Sequence, residues 1–535
     1  MAENVMERAA KAAGMISMLF LVSRILGFIR ENLSGRLFSR FETDSFFAAF
    51  IIPDIMYYLL VGGALSAAFI PIFTEYLAKG DEEEGWKVAS TFINITVILL
   101  AVFTILGMTF AKGVALWEAP HFKGEKMLLL VKLTRVMFPA VCFTALAGLM
   151  GGVLNSYKHF LAPALGPVFY NIAIIFGAFW LGPRYGIMGM AFGVVAGAIG
   201  NFLIQMAFLR KMGGGKYRFG YIDLRNSGFR RMLMLMVPAL VGLSATQANI
   251  WITNVMASSL REGSITALRF ANRLIQLPIG IFASSIAMAF FPMLSGLAAE
   301  KKMDSFKDTL SLSLRSIFFL LLPAAVGLIV LRTPIVKILF EGQRFTPEHT
   351  ALTSYALLFY SLAVFAHAAI LMLPRAFYAL QDTLTPVLVS VFSVSISIVL
   401  NWVFLKYTKL DVGGFALSFS IMGLINMLLL MEILRRKIGG IRGWGIFRSF
   451  LKGLAASLAL GLAVFLTSRW VGLISGRFGF SGHLEAALKV AVGMAAGVTV
   501  YFGTAWLLKM DELAMTIRLI KSRLHRRGTR TPTNS

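Results

Sequence analysis

The sequence predicts an all-α polytopic membrane protein of 14 transmembrane helices, built as two pseudo-symmetric six-helix lobes plus two C-terminal helices. Three observations point there. Of 535 residues, 58% are hydrophobic and only 14% charged, where a soluble chain carries about a quarter charged residues. The apolar residues fall in long blocks, most of them long enough to cross a hydrocarbon core as helix. Short motifs of one half recur in the other.

The predicted spans lie near 15–38, 44–75, 88–111, 127–154, 160–182, 186–209, 232–258, 265–298, 316–332, 350–378, 385–405, 412–433, 453–468 and 485–508. Several exceed the roughly 20 residues of a straight crossing, so they tilt, kink or run on beyond the bilayer. Lys and Arg gather in the segments that are cytoplasmic when the N-terminus is inside. These include Arg210, Lys211, Lys216, Arg218, Arg225, Arg230 and Arg231, then Arg435, Arg436, Lys437 and Arg442, and finally the tail from Arg518 to Arg530. An even number of spans with this positive-inside pattern places both termini in the cytoplasm. Basic loops meeting anionic headgroups explain the net charge of +25 better than nucleic acid does. Residues 1–11 are polar and no small-residue cleavage site follows the first apolar run, so no cleavable signal peptide is expected. The single cysteine, Cys142, excludes an intrachain disulfide.

Two echoes suggest duplication. Leu161-Ala-Pro163-Ala-Leu165-Gly-Pro-Val168-Phe169 resembles Leu384-Thr-Pro386-Val-Leu388-Val-Ser-Val391-Phe392, and Gly189, Ala191 and Asn201 recur as Gly414, Ala416 and Asn426. Spans 5 and 6 then map onto 11 and 12, which gives an N-lobe at 1–209, a basic cytoplasmic linker at 210–231 and a C-lobe at 232–436. Spans 13 and 14 occupy 437–509, and a cytoplasmic tail with a short amphipathic helix follows at 510–535. Repeats with an even span number are parallel, related by an axis along the membrane normal, and a cargo site is expected where they meet.

Arginine at membrane depth is costly and is kept for a protein interior or a wet cavity. Arg24 and Arg30 lie inside span 1, in Ser23-Arg24-Ile25-Leu26-Gly27-Phe28-Ile29-Arg30-Glu31. Six-residue spacing turns a helix by about 240°, so Arg24 and Arg30 do not share a face unless Gly27 or Gly35 breaks the helix and re-aims them. Arg36 and Arg40 are expected to snorkel at the outer end. Arg269 and Arg273, four apart in span 8, share a stripe with Thr266. Together these residues predict a cationic cavity for an anionic substrate. Asp44 opens span 2, where it either caps the helix or pairs with an arginine of span 1 as an outer gate. Glu31 and Asp54 are the other acidic candidates for such pairing. His367 is expected to be a hydrogen-bonded interior histidine, and Asp382 a cap of span 11. Asp81-Glu82-Glu83-Glu84 is expected to be a solvated turn. The chain has no phosphate-binding loop, no metal-ligand spacing and no carboxylate pair within a span, so no catalytic residue, metal or cofactor is expected.

These motifs, in this order, resemble the MurJ/MviN family, the bacterial lipid II flippases of the multidrug/oligosaccharidyl-lipid/polysaccharide exporter superfamily. The resemblance is carried by Ser23–Glu31, Asp44–Pro53, Gly63–Tyr76, Ala271–Gly280, Pro323–Leu328, Pro334–Phe345 and Phe377–Pro386. It implies two lobes and a lipid-facing groove made by spans 13 and 14, in the plasma (inner) membrane. It implies alternating access with lipid II, undecaprenyl diphosphate bearing the disaccharide-pentapeptide, as cargo. The family's cavity arginines fall on Arg24, Arg30 and Arg273 and its acidic partner on Asp44, in keeping with the guanidinium donors a diphosphate requires. Departures stand at Tyr57-Tyr58, Gly62, Asn272, Thr253 and Asn401. The last two occupy places where some relatives carry carboxylates suited to a cation, so either a coupling cation or the membrane potential is left as the energy source. Beyond lipid II, the expected partners are membrane lipids and cell-wall synthesis proteins. Other readings stay open: a flippase for another polyprenyl-diphosphate-linked glycan, a membrane enzyme of wall synthesis, or a scaffold recruiting wall enzymes.

Overall fold

The computed structural model describes residues 2–59, 68–211 and 216–513. Among them every regular element is helical. The sequence features at Gly62, at residues 63–67 of the Gly63–Tyr76 motif and in the tail beyond Leu513 lie outside the described residues. The chain divides into two compact units, Met1–Thr266 with Phe340–Thr346, and Ala267–Leu339 with Pro347–Ser535.

The first unit holds α1 (Ala2–Leu37), α2 (Arg40–Ala49), α3 (Ile51–Tyr57), α4 (Ile70–Ala78), α5 (Glu82–Thr109), α6 (Ala111–Glu118), α7 (Gly124–Ser156), α8 (Leu161–Phe176), α9 (Gly182–Tyr185), α10 (Ile187–Lys211) and α11 (Ser227–Ala257). α1 runs unbroken through Gly27 and Gly35, so neither glycine re-aims the arginines; a single glycine costs a helix only about 1 kcal/mol and need not break it. Span 2 is broken instead. Pro53 has no N–H for the carbonyl of Ala49, and α2 gives way to α3 at Phe50. The core of this unit is aromatic. Phe69 stacks on Phe73 at 5.6 Å, Phe73 meets Trp86 edge-on at 5.5 Å, and Phe92, Leu149 and Val153 close around them.

The acidic turn is not merely solvated. Asp81 caps α5 through the Glu84 amide, and the basic linker docks onto the turn. Lys216 reaches Glu82 at 2.6 Å, Arg218 reaches Glu83 at 2.8 Å and Asn226 reaches Glu84 at 2.7 Å. The buried Asn94 amide donates to the carbonyls of Arg218 and Tyr221, both at 2.9 Å. Exposed ion pairs contribute little each; the Asn94 bonds fix the strap's position.

The second unit holds most of α12 (Ser264–Pro278), then α13 (Ser284–Ala299), α14 (Met303–Phe340), α15 (Pro347–Ser361), α16 (Val364–Ala379), α17 (Leu384–Tyr407), α18 (Val412–Lys437), α19 (Gly443–Phe478) and α20 (Gly482–Leu507). A π-helical turn at Ile279–Ala283 joins α12 to α13 after Pro278. The α19–α20 hairpin packs on α14 through Phe319, Leu331, Leu460, Val464 and Tyr501, and the Tyr501 hydroxyl donates to the Phe319 carbonyl at 2.5 Å. Gly461 is needed there, because a Cβ would stand 2.7 Å from the Val326 side chain. His367 is the hydrogen-bonded interior histidine expected, 3.1 Å from the Phe419 carbonyl. Asp382 accepts the Thr385 amide at 3.0 Å at the start of α17, and its hydrogen bonds to Lys437 and Thr385 hold its carboxyl down at about 2.

Ten described helices are long and apolar enough to cross a membrane, eleven if the pair α15 and α16, bent by 48°, is one span. They coincide with predicted spans 3–6 and 8–14. Predicted spans 1 and 7 are helical as α1 and α11 but are not among the eleven, which count described residues only. Within the repeated stretches, a Cβ on Gly166 of α8 would stand 1.9 Å from Oδ1 of Asn201 of α10, and Asn426 of α18 donates to Ser390 of α17 at 3.4 Å.

Candidate functional site

Asp44 is bonded at both carboxylate oxygens. Ser39 and Glu42 form a capping box that starts α2, and the Glu42 carboxylate also accepts the Ile187 amide at 3.2 Å. With α2 pinned, Asp44 faces the first turn of α12. Its Oδ2 accepts the Gly263 amide at 2.7 Å and the Lys126 ammonium at 2.9 Å. Its Oδ1 accepts the Thr266 amide at 2.9 Å and the Thr266 hydroxyl at 2.7 Å. The Thr43 hydroxyl lies 2.9 Å from that of Thr266. Asp44 is only 2% exposed.

The chemistry follows from helix termini. The first amides of α12 have no carbonyl of their own to bond, and they carry the positive end of the helix dipole. Asp44 supplies the missing acceptors from another helix. Gly263, at φ +87°, is required at the turn; a Cβ there would stand 2.6 Å from Nη1 of Arg40. Arg40 does not snorkel, as its place in the sequence suggested. It is buried, donates from Nη1 to the Gly263 carbonyl at 3.0 Å, and lies 4.4 Å from the Phe345 ring centroid. Asp44 likewise neither caps α2, which Ser39 does, nor pairs with an arginine of α1. Its partners lie on α7 and α12 because the fold brings Gly263 and Thr266 to it across more than 200 residues of chain.

The other predicted residues are placed as follows. Arg24 is exposed on α1. Arg30 is 14% exposed, 3.5 Å from the buried carboxylate of Glu31 and 5.9 Å from the Phe50 ring centroid. Asp54 is half-buried in the first turn of α3. Arg269 and Arg273 are half-buried on α12, within the second unit, whereas Thr266 of the same helix belongs to the first. The structure therefore joins Asp44 to Thr266 and Arg30 to Glu31. Sequence reasoning missed Lys126, Gly263 and Thr43, and no local pattern marks them. Among the described residues no three His, Cys, Asp or Glu side chains form a metal-binding group.

A second carboxyl lies outside the spans. Glu118, at the end of α6, is fully buried and accepts from the Thr134 hydroxyl at 3.2 Å, while its backbone carbonyl accepts from Asn254 at 2.9 Å. Burial pushes its carboxyl up to about 8. A carboxyl raised on folding stays protonated in the native state while the unfolded chain ionises above about 4.3. Native stability therefore falls as pH rises from about 4.3 to 8, at about 1.4 kcal/mol per unit. The melting temperature of the wild type should drop between pH 5 and pH 8, and Glu118→Gln should flatten that slope. Parallel melting curves for the two proteins would assign it elsewhere.

Comparison with known proteins agrees with this architecture. The family model described as lipid II flippase MurJ matches residues 33–479. The probable lipid II flippase MurJ of Vibrio cholerae is 33% identical over 443 residues, covering 80% of this chain and 83% of that protein. The lipid II flippase MurJ of Burkholderia cenocepacia is 30% identical over 511 residues, covering 92% and 96%. A solved structure of lipid II flippase MurJ in an inward closed conformation superposes with a TM-score of 0.77 at 27% identity, covering 93% of this chain and 99% of that one. An inward-facing multidrug resistance MATE family transporter of the MOP superfamily shares the fold, with a TM-score of 0.68 at 15% identity and coverage of 79% and 96%. This chain belongs to the MurJ family of lipid II flippases.

Proposed function

We propose that the chain carries lipid II from the inner to the outer leaflet of the bacterial plasma membrane by alternating access, acting as a transporter and not as an enzyme. The observation that carries this reading is the family match over residues 33–479, which spans the arginine of α12, Arg273, together with the Asp44 clasp. Fourteen spans are proposed, with α1, the broken α2–α3–α4 segment and α11 added to the eleven apolar ones, and with both termini cytoplasmic. The lobes are 1–209 and 232–436, joined by the linker at 210–231, with 437–509 as the lipid-tail groove and 510–535 as a cytoplasmic tail.

In this reading Arg24, Arg30, Arg269 and Arg273 offer guanidinium donors to the diphosphate, which matches their paired N–H geometry. The Asp44–Thr266 clasp closes the outer side while cargo loads from the inner leaflet, and Glu31 and Asp54 balance charge near the arginines. A coupling cation or the membrane potential drives the cycle; a charge crossing 100 mV gains about 2.3 kcal/mol. Membrane lipids surround the hairpin of α19 and α20, and wall-synthesis proteins draw on the product.

The test is translocation of lipid II in proteoliposomes holding only this protein, at zero and at imposed potential. Transport at either setting is the expected result. Transport of another polyprenyl-diphosphate glycan in place of lipid II would move the substrate assignment.

A further inference from the structure

A cavity of about 320 Å³ opens beside the clasp, lined among others by Phe122, Lys123, Lys126, Arg261 and Glu262. All its walls belong to the first unit. Three come together: the turn after α6 with the start of α7, the turn from α11 to α12, and α2. In the proposed orientation this is the outer side.

The lining favours an anion. Three basic side chains, Lys123, Lys126 and Arg261, and the imidazole of His121 stand with two carboxylates, Asp44 and Glu262. Asp44 is already occupied, both its oxygens being taken by four donors. The Lys126 ammonium has three N–H groups. One goes to Asp44 at 2.9 Å, and its nitrogen lies 4.3 Å from the Phe122 ring centroid. Lys126 is 14% exposed, so the ammonium is largely desolvated and its charge is weakly screened. The first amides of α7, a helix of 33 residues, have no side-chain cap at Lys123 and add their dipole to the same wall. The volume is at the small end of ligand cavities, which run from about 300 to 1,000 Å³. It suits a phosphate or diphosphate group and is too small for a glycopeptide. Asp44, His121 and Glu262 all line the cavity, but among the described residues they do not form a group that could hold a metal ion.

We propose that this cavity is a phosphate-binding subsite and that Lys126 passes from Asp44 to the phosphate as the subsite fills, loosening the Asp44 clasp. The inference rests on the flippase reading. It adds an outer station for the diphosphate and a ligand-sensitive element in the gate. The phosphate comes either from the cargo's diphosphate or from a phospholipid headgroup. Lys126 is a positioning residue, because it acts on the clasp through Asp44.

The test uses the full chain in phosphatidylcholine nanodiscs, in a Cys142→Ser background with Ile265→Cys as reporter. Ile265 is 7% exposed and lies in the first turn of the clasped helix, so its alkylation by a maleimide reports opening. Inorganic pyrophosphate should raise the alkylation rate roughly threefold or more through a shift toward the open population. Lys126→Met should alkylate faster without ligand and show no response to pyrophosphate, and Lys126→Arg should restore the response. Lys123→Met leaves the Asp44 pair in place and should raise the pyrophosphate concentration needed for half the effect. Nanodiscs containing phosphatidylglycerol separate the sources: a high basal rate that pyrophosphate no longer raises identifies the headgroup, and an unchanged basal rate identifies the diphosphate. An equal response in Lys126→Met, or none in the protein with Lys126 intact, overturns the proposal. Lipid II transport measured on the same preparation separates the two readings, since transport without a pyrophosphate response removes the subsite and leaves the flippase.

Discussion

Arg273→Glu should fold, insert and fail to move lipid II. Arg273 is half-buried on α12 and is not part of the Asp44 clasp. A guanidinium–phosphate contact is charge-assisted and two-pronged, with each bond to a charged group contributing about 1.5–3 kcal/mol. Losing it costs about 3 kcal/mol, and the reversed charge adds repulsion. Transport in proteoliposomes should therefore fall by at least about 100-fold. Arg273→Lys retains the charge but loses the planar fork, and should keep a fraction of the activity. Matching size-exclusion profiles and melting temperatures for all three proteins serve as the folding control. A folded Arg273→Glu protein with ordinary transport would remove Arg273 from the cargo site.

Asp44→Ala should cost both stability and outer closure. The substitution strips acceptors from two amides and a hydroxyl and leaves the Lys126 ammonium without its counter-charge. Removing one partner of a buried ion pair costs about 3–5 kcal/mol. Asp44→Asn should do little better, because every partner of Asp44 donates and the new NH₂ group has nothing to donate to at half of those positions. The melting temperature should fall in both variants, and maleimide alkylation of Ile265→Cys should accelerate from the outer side. On the proposed alternating-access cycle lipid II transport should also be lost, because a gate that does not close cannot alternate. A protein with Asp44→Ala that melts and alkylates like the wild type would show that the clasp contributes nothing to closure.

The fold was readable because membrane helices announce themselves by length and polarity. Each of the eleven apolar spans coincides with a predicted block, since the bilayer imposes one hydrophobic length on every crossing. Span 2 resisted that logic, because hydrophobic length says nothing of the local break that Pro53 imposes between α2 and α3. Arg40 was misjudged for a related reason. An arginine at a helix end reads as a snorkelling residue, yet here a carbonyl at Gly263 and a ring at Phe345 receive it. The acidic turn at 81–84 read as solvated because its partners, Lys216, Arg218 and Asn226, are more than 130 residues away.

The sequence by itself determined the class, the family and the identity of the unusual charges. Composition, hydrophobic length and motif order are local quantities, and the cost of arginine in lipid marks Arg24, Arg30 and Arg273 wherever the chain folds. Only the tertiary structure decided what Asp44 does. A carboxylate is indifferent in sequence to whether it caps its own helix, pairs with an arginine or caps a distant helix. The choice depends on which unsatisfied amides the fold brings within hydrogen-bond distance. Here those are Gly263 and Thr266, at 2.7 and 2.9 Å, with Lys126 as counter-charge.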